Sequence, residues 1–114
     1  MHMGSLAIVG QSQQENLLHV VLNNGAHDSV GGQPTCAFAI DLSGIARACG
    51  YREVLVAAEL EDIDQAFASL LDRKGPSFLE IRLNKGARKD LGRPRSSPKE
   101  NREALMDGFG INQR

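Results

Sequence analysis

An alternation of strand-like and helix-like segments is the feature that most constrains the fold of this chain. Three runs rich in Val, Leu and Ile, LLHVVL (17–22), REVLVAA (52–58) and FLEIRL (78–83), are separated by two segments with helical periodicity. Strands joined by a helix pair in parallel through right-handed crossovers, because the chain must return along the sheet before it pairs again. The sequence therefore predicts an α/β fold, with a parallel sheet between two helical layers.

Both helical segments carry recognisable end signals. In DLSGIARACG, Asp41 is expected to cap the N-terminus of the helix and Gly50 its C-terminus. The second helix should begin near Asp62 and end before Gly75-Pro76. The residues predicted to face the sheet are Leu42, Ile45, Ala46 and Cys49 in the first helix, and Ile63, Ala66, Phe67, Leu70 and Leu71 in the second.

The N-terminal part indicates that the sheet is incomplete. Residues 1–14 are predicted to form a helix whose small residues, Gly4, Ala7 and Gly10, pack closely on the sheet. The run 17–22 is predicted to be a strand buried on both faces, yet little precedes it that could pair with it. We therefore expect the C-terminal half of a larger doubly wound domain.

The charges divide the chain near residue 85. Residues 1–84 contain five Lys/Arg and ten Asp/Glu, whereas residues 85–102 contain seven Lys/Arg and two Asp/Glu. This asymmetry predicts a domain of residues 1–84, followed by a basic tail of residues 85–114. Within the tail, Ser97-Pro98-Lys99-Glu100 has the form of a capping box, which predicts a short helix through Met106 and Phe109.

Composition argues against membrane and nucleic-acid partners. No apolar run approaches the ~20 residues that span a bilayer, and the N-terminus lacks the basic and apolar regions of a secretory signal. Aromatic residues make up 4% of the chain, which is poorly suited to stacking on nucleic-acid bases. Cys36 and Cys49 lack CxxC spacing and are expected to be reduced, buried thiols in a cytoplasmic protein.

Short polar residues and glycines follow the first predicted strand, in the sequence VVLNNGAHDSVGGQPT (20–35). Ligands of parallel α/β sheets bind at the carboxyl ends of the strands. An asparagine oxygen suits a hard cation, and glycines let the backbone approach a ligand closely, so the stretch fits a Mg²⁺-diphosphate site. The same residue types equally fit a polar turn in left-handed backbone conformations. Residue types alone leave both readings open.

Three stretches resemble a known family. LNNGAHDSVGGQPT (22–35) resembles the second half of the thiamine-diphosphate motif, and MGSLA (3–7) is similar to the helix between the two halves of that motif. KGPSFLEIRLNKGARKDLGRP (74–94) resembles the C-terminal region of phosphonopyruvate decarboxylases. The chain is thus identified as a member of the thiamine-diphosphate-dependent 2-oxo acid decarboxylases, with sulfopyruvate decarboxylases as more distant relatives.

This resemblance implies the C-terminal half of a thiamine-diphosphate-binding domain, with thiamine diphosphate and Mg²⁺ as cofactors. The implied activity is that of a carboxy-lyase of phosphonate biosynthesis, converting 3-phosphonopyruvate to phosphonoacetaldehyde and CO₂. Two alternatives stay open: a portion of a β-type sulfopyruvate decarboxylase, and a non-catalytic α/β module whose Asn-Gly loop is structural.

The resemblance also implies roles for individual residues. The Asn24 side chain and the Ala26 carbonyl correspond to ligands of Mg²⁺, and His27 is the candidate for a catalytic role. Residues 30–33 would run past the cofactor toward the substrate. The residues that would shape the cofactor-binding loop are Asn23, Asn24, Gly25, Ala26, His27, Asp28 and Ser29. His19, which lies among aliphatic residues, is expected to be structural.

The chain departs from the family pattern at its start. The family's Gly-Asp-Gly lies about 27 residues before the metal-binding asparagine, whereas 23 residues precede Asn24. The aspartate ligand and the pyrimidine-binding domain are therefore expected outside the given sequence, which alone should be inactive. A missing N-terminal half or a partner subunit would complete the site, in a homo-oligomer. The basic tail is expected to be solvated or to pack at a subunit interface, and Arg88 and Arg93 are candidates for contacting the substrate phosphonate.

Overall fold

The computed structural model of the chain describes residues 3–111 and places a parallel sheet between helices. The elements in chain order are α1 (Gly4–Gln11), β1 (Leu18–Asn23), β2 (Ala26–His27), a 3₁₀ turn (Asp28–Val30), β3 (Gln33–Pro34), α2 (Leu42–Ala48), β4 (Glu53–Ala57), α3 (Leu60–Leu71), β5 (Ser77–Arg82) and α4 (Pro98–Gly108). No helix among these is long and apolar enough to cross a lipid bilayer.

The main sheet has the strand order β1-β5-β4, so the last strand in the sequence is central. Both neighbours pair with β5 in parallel, and Leu79 is in register with Val20 on one side and Leu55 on the other. The predicted parallel α/β sheet is therefore confirmed. A separate antiparallel ribbon of β2 and β3 lies in the loop after β1.

Apolar cores on the two faces of the sheet create three layers. Successive residues of β5 point to opposite faces, so Phe78 and Leu79, both 0% exposed, belong to different cores. Burial of a side chain of this size contributes about 1.5–3 kcal/mol. The first core, toward α1 and α2, contains Leu6, Ala46, Tyr51, Val54 and Phe78. The second, toward α3, contains Ala57, Ala66, Leu70, Leu79 and Ile81. The three-layer prediction is confirmed.

The predicted end signals of α2 and α4 are also present. Asp41 Oδ1 accepts hydrogen bonds from the Gly44 N–H at 2.8 Å and the Ser43 hydroxyl at 2.7 Å. The Gly44 N–H, followed by the Ser43 hydroxyl, lowers the pKa of Asp41 because both stabilise its charged form. In α4, Ser97 and Glu100 form the complete capping box.

The prediction that β1 is buried on both faces is wrong. Most of its residues are half-exposed, and Leu22 is 66% exposed. The reason is strand order: β1 is an edge strand of the sheet that the structure describes. A sequence pattern reports that a segment is apolar, but the neighbours that cover it are set by the topology.

Two helix predictions need correction. In α1, Gly10 alone among the predicted small residues makes a close approach, since a Cβ there would lie 2.2 Å from the Cys49 carbonyl oxygen of the α2 end. Gly4 has open space around it and Ala7 is exposed, because Leu6 takes the inward position. In α3, which begins at Leu60 rather than near residue 62, Leu71 is 71% exposed.

The two cysteines were predicted to be reduced and buried, and His19 was predicted to be structural. Both cysteines are free, as predicted, but Cys36 is exposed, because it lies in the irregular segment after β3, and Cys49 is only half-buried. His19 Nδ1 lies 2.8 Å from the Tyr51 hydroxyl, and its ring meets the edge of Phe78. Burial lowers the pKa of His19. These contacts agree with a structural role for this histidine.

Candidate functional site

The segment at the carboxyl end of β1 forms a hydrogen-bonded loop, called here the glycine loop (residues 24–35). Its two sides are the short strands β2 and β3, joined through the 3₁₀ turn. The Gly32 N–H donates to the His27 carbonyl at 2.9 Å, and the Thr35 N–H donates to the Gly25 carbonyl at 2.8 Å. The loop is therefore a defined structure built at the sheet edge where ligands of α/β proteins bind.

Asn23, the last residue of β1, anchors the loop to the sheet. Its side chain is buried, with the residue 4% exposed. Nδ2 donates to Glu80 Oε1 at 2.7 Å, and Oδ1 accepts the Gly25 N–H at 3.0 Å. Both ends of the amide are thus engaged, one with the central strand and the other with the start of the loop.

Asn24 faces the loop rather than the sheet. Its Oδ1 accepts the Ala26 N–H at 3.1 Å, and its Nδ2 donates to Asp28 Oδ2 at 2.7 Å. The carboxylate of Asp28 can only accept hydrogen bonds, so it fixes the amide with the oxygen toward Ala26. The Asn24 oxygen is therefore held in one direction.

The carbonyl of Ala26 lies on the same side of the ribbon as this oxygen. Ala26 pairs with Pro34, and the Thr35 N–H bonds to the Gly25 carbonyl, so the bonded positions of the ribbon flank Ala26. Residues between bonded positions point their own N–H and C=O away from the partner strand. Since the Ala26 N–H meets Asn24 Oδ1, its carbonyl shares that side. Two neutral oxygens therefore lie on the same side of the ribbon.

Glycines permit the sharp turns of this loop. Gly25 has a φ of 65°, and a Cβ on it would lie 2.4 Å from a ring carbon of Phe38. Gly31 and Gly32, with φ angles of 117° and 72°, form the bend before β3. A side chain would strain the backbone at each of these positions.

A cleft of about 510 Å³ lies against the loop and the end of β1. Its wall includes Asn24, Ala26 and His27, and it continues along the segment from Pro34 to Leu42. His27 and Cys36 are the titratable side chains among the described residues that line it. Asn24 and Ala26 thus border a cleft large enough for part of a small ligand.

Glu80 is a site residue that the sequence reasoning missed. It is 2% exposed in the centre of the sheet, where Arg82 Nε lies 3.5 Å from its Oε1. Arg82 also lowers the pKa of Asp41 at the start of α2, as the smallest of the causes acting on that group. The one sequence signal was a charged residue in the otherwise apolar run FLEI.

The first residues of the basic tail contact the glycine loop. The Gly86 N–H donates to Asp28 Oδ2 at 2.8 Å, and Lys85 Nζ donates to the Gly32 carbonyl. Arg88, a candidate phosphonate contact, pairs with Asp90 at 3.4 Å and is largely exposed. Arg93 is also exposed. The structure therefore places Lys85, rather than these arginines, against the loop.

The predicted loop residues occupy one structure, although they contribute differently. Asn24, Ala26 and Asp28 are linked by hydrogen bonds, whereas Ser29 is exposed in the 3₁₀ turn. Residues 3–111 contain no cluster of three or more His, Cys, Asp or Glu side chains able to hold a metal ion.

Comparison with known proteins identifies the class. Residues 1–81 match the C-terminal TPP binding domain of thiamine pyrophosphate enzymes, and the chain belongs to this family. Thiamine pyrophosphate is thiamine diphosphate, the cofactor that the sequence resemblance implied, so that prediction is confirmed.

Particular relatives are similar over most of the chain. It is 45% identical over 100 residues to the phosphonopyruvate decarboxylase of Streptomyces viridochromogenes, an alignment covering 88% of this chain and 25% of that protein. The phosphonopyruvate decarboxylase of Streptomyces hygroscopicus is 43% identical with the same coverage. The sulfopyruvate decarboxylase of Methanosarcina acetivorans is 32% identical over 87 residues, covering 75% of this chain and 22% of that protein. The chain thus spans about a quarter of the length of these relatives.

Proposed function

We propose that this chain forms the C-terminal part of the cofactor-binding domain of a thiamine-diphosphate-dependent decarboxylase acting on 3-phosphonopyruvate. The reaction would release CO₂ and leave phosphonoacetaldehyde, in phosphonate biosynthesis. The observation that carries the proposal is that two oxygens, Asn24 Oδ1 and the Ala26 carbonyl, lie on one side of the ribbon that follows β1. They do so in a member of the thiamine pyrophosphate enzyme family.

The donor set of the loop fits Mg²⁺ bound to a diphosphate. Mg²⁺ prefers oxygen ligands and usually combines a few protein oxygens with substrate phosphates. Asn24 Oδ1 has a second lone pair beyond the one that accepts the Ala26 N–H. Because Asp28 holds the other end of the amide, little reorganisation is needed for metal binding. When bound, the cofactor supplies the electron sink for loss of CO₂.

The remaining parts of the loop would hold the diphosphate and border the substrate. Gly31 and Gly32, which have no side chain, would let the backbone approach a bound group closely. The Lys85 ammonium, bonded to the Gly32 carbonyl, would add positive charge beside the anionic cofactor. His27 lines the cleft and is the candidate for handling a proton there. The site needs further ligands, which we assign to another part of the polypeptide or a partner subunit.

A sulfopyruvate decarboxylase is the second candidate function. The relatives of that name include one from Methanosarcina acetivorans at 32% identity and a subunit beta from Methanococcus maripaludis at 33%. Both substrates carry a carboxylate and a second anionic group, so the loop chemistry suits either. The higher identity to phosphonopyruvate decarboxylases, 45% and 43%, favours phosphonopyruvate.

A chimeric enzyme tests the proposal directly. The matching 100 residues of the Streptomyces viridochromogenes phosphonopyruvate decarboxylase would be replaced by those of this chain. We expect Mg²⁺- and cofactor-dependent decarboxylation of phosphonopyruvate, and negligible cofactor binding by the 114-residue chain alone. A chimera that prefers sulfopyruvate would support the second candidate. Tight, Mg²⁺-dependent calorimetric binding of thiamine diphosphate to the chain alone would contradict the ligand assignment.

Asn24→Ala in the chimera isolates the metal-binding role. It removes one oxygen from the proposed coordination shell, and we expect the apparent Mg²⁺ affinity to fall about 10–100-fold, as for other changes around metal sites. The measurement is calorimetric titration of Mg²⁺ at saturating thiamine diphosphate. Asn84→Ala, at an exposed position after β5, is the matched control and should leave the affinity unchanged. Equal affinities for the two variants would refute the role of Asn24.

A further inference from the structure

The buried carboxylate of Glu80 is not among the proposed cofactor ligands, although it contacts Asn23, the residue that precedes the glycine loop. It is 2% exposed, in the middle of a strand whose neighbours Leu79 and Ile81 belong to the apolar core. A buried charge is costly unless it is paired and hydrogen-bonded. Arg82 Nε at 3.5 Å and Asn23 Nδ2 at 2.7 Å supply those partners. These contacts of Glu80 have a consequence for the conformation of Asn23.

The consequence is the orientation of the Asn23 amide. An ionised carboxylate accepts hydrogen bonds and donates none, so the nitrogen of the amide must face Glu80. The oxygen is then forced to the other side, where it accepts the Gly25 N–H at 3.0 Å. A rotated amide would point its NH₂ group at that N–H, and the turn would lose its bond. The identity of residue 80 therefore decides which way residue 23 points.

The Gly25 turn in turn sets the geometry of the proposed metal ligands. Gly25 lies between Asn24 and Ala26 and adopts a φ of 65°. Its N–H is bonded to Asn23 and its carbonyl accepts from Thr35, so both of its peptide groups are fixed. Any change in this turn would move the Asn24 oxygen relative to the Ala26 carbonyl.

We propose that Glu80 is a positioning residue that orients the Asn23 amide, and thereby aligns the Asn24 and Ala26 oxygens for Mg²⁺ binding. The metal-binding part of this inference rests on the proposed function. The geometric part, that Glu80 fixes the turn at Gly25, does not.

Three variants in the chimera separate positioning from general stability. Glu80→Leu removes the acceptor, and we expect apparent Mg²⁺ affinity to fall about tenfold, in the range reported for outer-shell changes. Glu80→Gln keeps an oxygen that can accept from Asn23 and should stay within about threefold of the parent. The matched control is Glu59→Leu, at an exposed helix N-cap whose side chain makes no capping bond, and it should have no effect. Parental affinity in Glu80→Leu would overturn the proposal.

Exchanging the amide of residue 23 and the carboxylate of residue 80 provides a second test. This test stays informative if the Glu80→Leu variant misfolds. Asn23→Asp alone sets two carboxylates against each other and should weaken Mg²⁺ binding. Adding Glu80→Gln lets the new amide donate to Asp at position 23, whose second oxygen can still accept the Gly25 N–H. The double variant should therefore recover affinity to within about threefold of the parent. A double variant no better than Asn23→Asp would overturn the orienting role.

Hydrogen exchange distinguishes failure of this inference from failure of the proposed function. In the cofactor-free chimera, the Gly25 amide should exchange faster in Glu80→Leu than in the parent, with no change in Glu59→Leu. If the parent chimera binds no cofactor but this difference in exchange appears, the proposed function is wrong and the positioning role of Glu80 is supported. If the parent binds the cofactor and Gly25 exchange is unaffected by Glu80→Leu, the positioning device is wrong.

Discussion

The glycine loop and the irregular part of the basic tail, residues 85–97, have similar compositions and different structures. Both are polar and contain several glycines and a proline. Buried Asn23 ties the start of the loop to Glu80 of the central strand, whereas every residue from 85 to 97 is exposed. A polar, glycine-rich sequence can thus form a defined structure when one of its ends is bonded to a buried group. Composition alone does not distinguish the two cases.

The two regions meet at Asp28. This carboxylate accepts from Asn24 within the loop and from the Gly86 N–H of the tail. The first two residues of the tail, Lys85 and Gly86, are thus bonded to the loop, while Arg88 forms an exposed pair with Asp90. Exposed pairs of this kind contribute little to stability. The contrast between the regions predicts different responses to matched substitutions.

The largest difference in the free energy of unfolding should be between alanine substitutions of two asparagines, Asn23 and Asn84. Asn23→Ala removes the buried partner of the Glu80 carboxylate, and a hydrogen bond to a charged group contributes about 1.5–3 kcal/mol. We expect a loss of about 2 kcal/mol in the free energy of unfolding of the 114-residue chain. Denaturant titration followed by circular dichroism measures it.

Asn84→Ala is the control for that measurement, since residue 84 is exposed just before the basic tail. Surface changes of this kind are usually within about 0.5 kcal/mol of neutral. Similar losses for the two variants would mean that the loop is no better anchored than the tail.

A smaller difference in stability is expected between alanine substitutions of two glycines, Gly25 and Gly92. Gly25→Ala imposes a side chain on a backbone with φ 65° and brings its Cβ against the Phe38 ring. The ring is exposed and can move, so the cost is mainly backbone strain, about 1 kcal/mol. Gly92→Ala meets open space and should be neutral or slightly stabilising through the unfolded state. Thermal unfolding of both variants tests this, and a destabilisation by Gly92→Ala equal to that of Gly25→Ala would contradict it.

The smallest effect on the whole chain should come from the helix cap in the tail. Ser97→Ala removes the side chain that accepts the Glu100 N–H, which costs about 1 kcal/mol of helix stability. The residues of α4 are exposed or half-exposed, so the loss should stay local. Amide exchange should accelerate in α4 while exchange in β5 is unchanged. Faster exchange in both would show that the tail is coupled to the sheet.

Local sequence patterns predicted most of the fold. The order of strands and helices and the caps at Asp41 and Ser97 follow from interactions within a few residues. The exposure of Leu22 and of Leu71 was not predictable in the same way. It depends on which strand lies at the edge and where the sheet stops covering a helix, and distant segments determine both.

The candidate site likewise has a part that local sequence predicts and a part that depends on distant segments. The residues of the loop were identified from a contiguous stretch of sequence, and their metal and cofactor roles remain predictions. Glu80 was missed because its partner Asn23 lies 57 positions earlier in the chain. No local pattern links two such residues, although a carboxylate within an apolar strand signals that a buried partner must exist.

The central position of β5 also has a consequence for how the chain folds. Because β1 and β4 each pair with β5 and not with each other, no part of the main sheet can form before residues 77–82 have left the ribosome. At typical synthesis rates of about 5–20 residues per second, β1 and its loop would wait several seconds for their partner. Contacts between such distant segments also slow folding through the entropy of loop closure. Pairing of β5 would therefore bring β1, β4 and the contact between Asn23 and Glu80 together in one cooperative step.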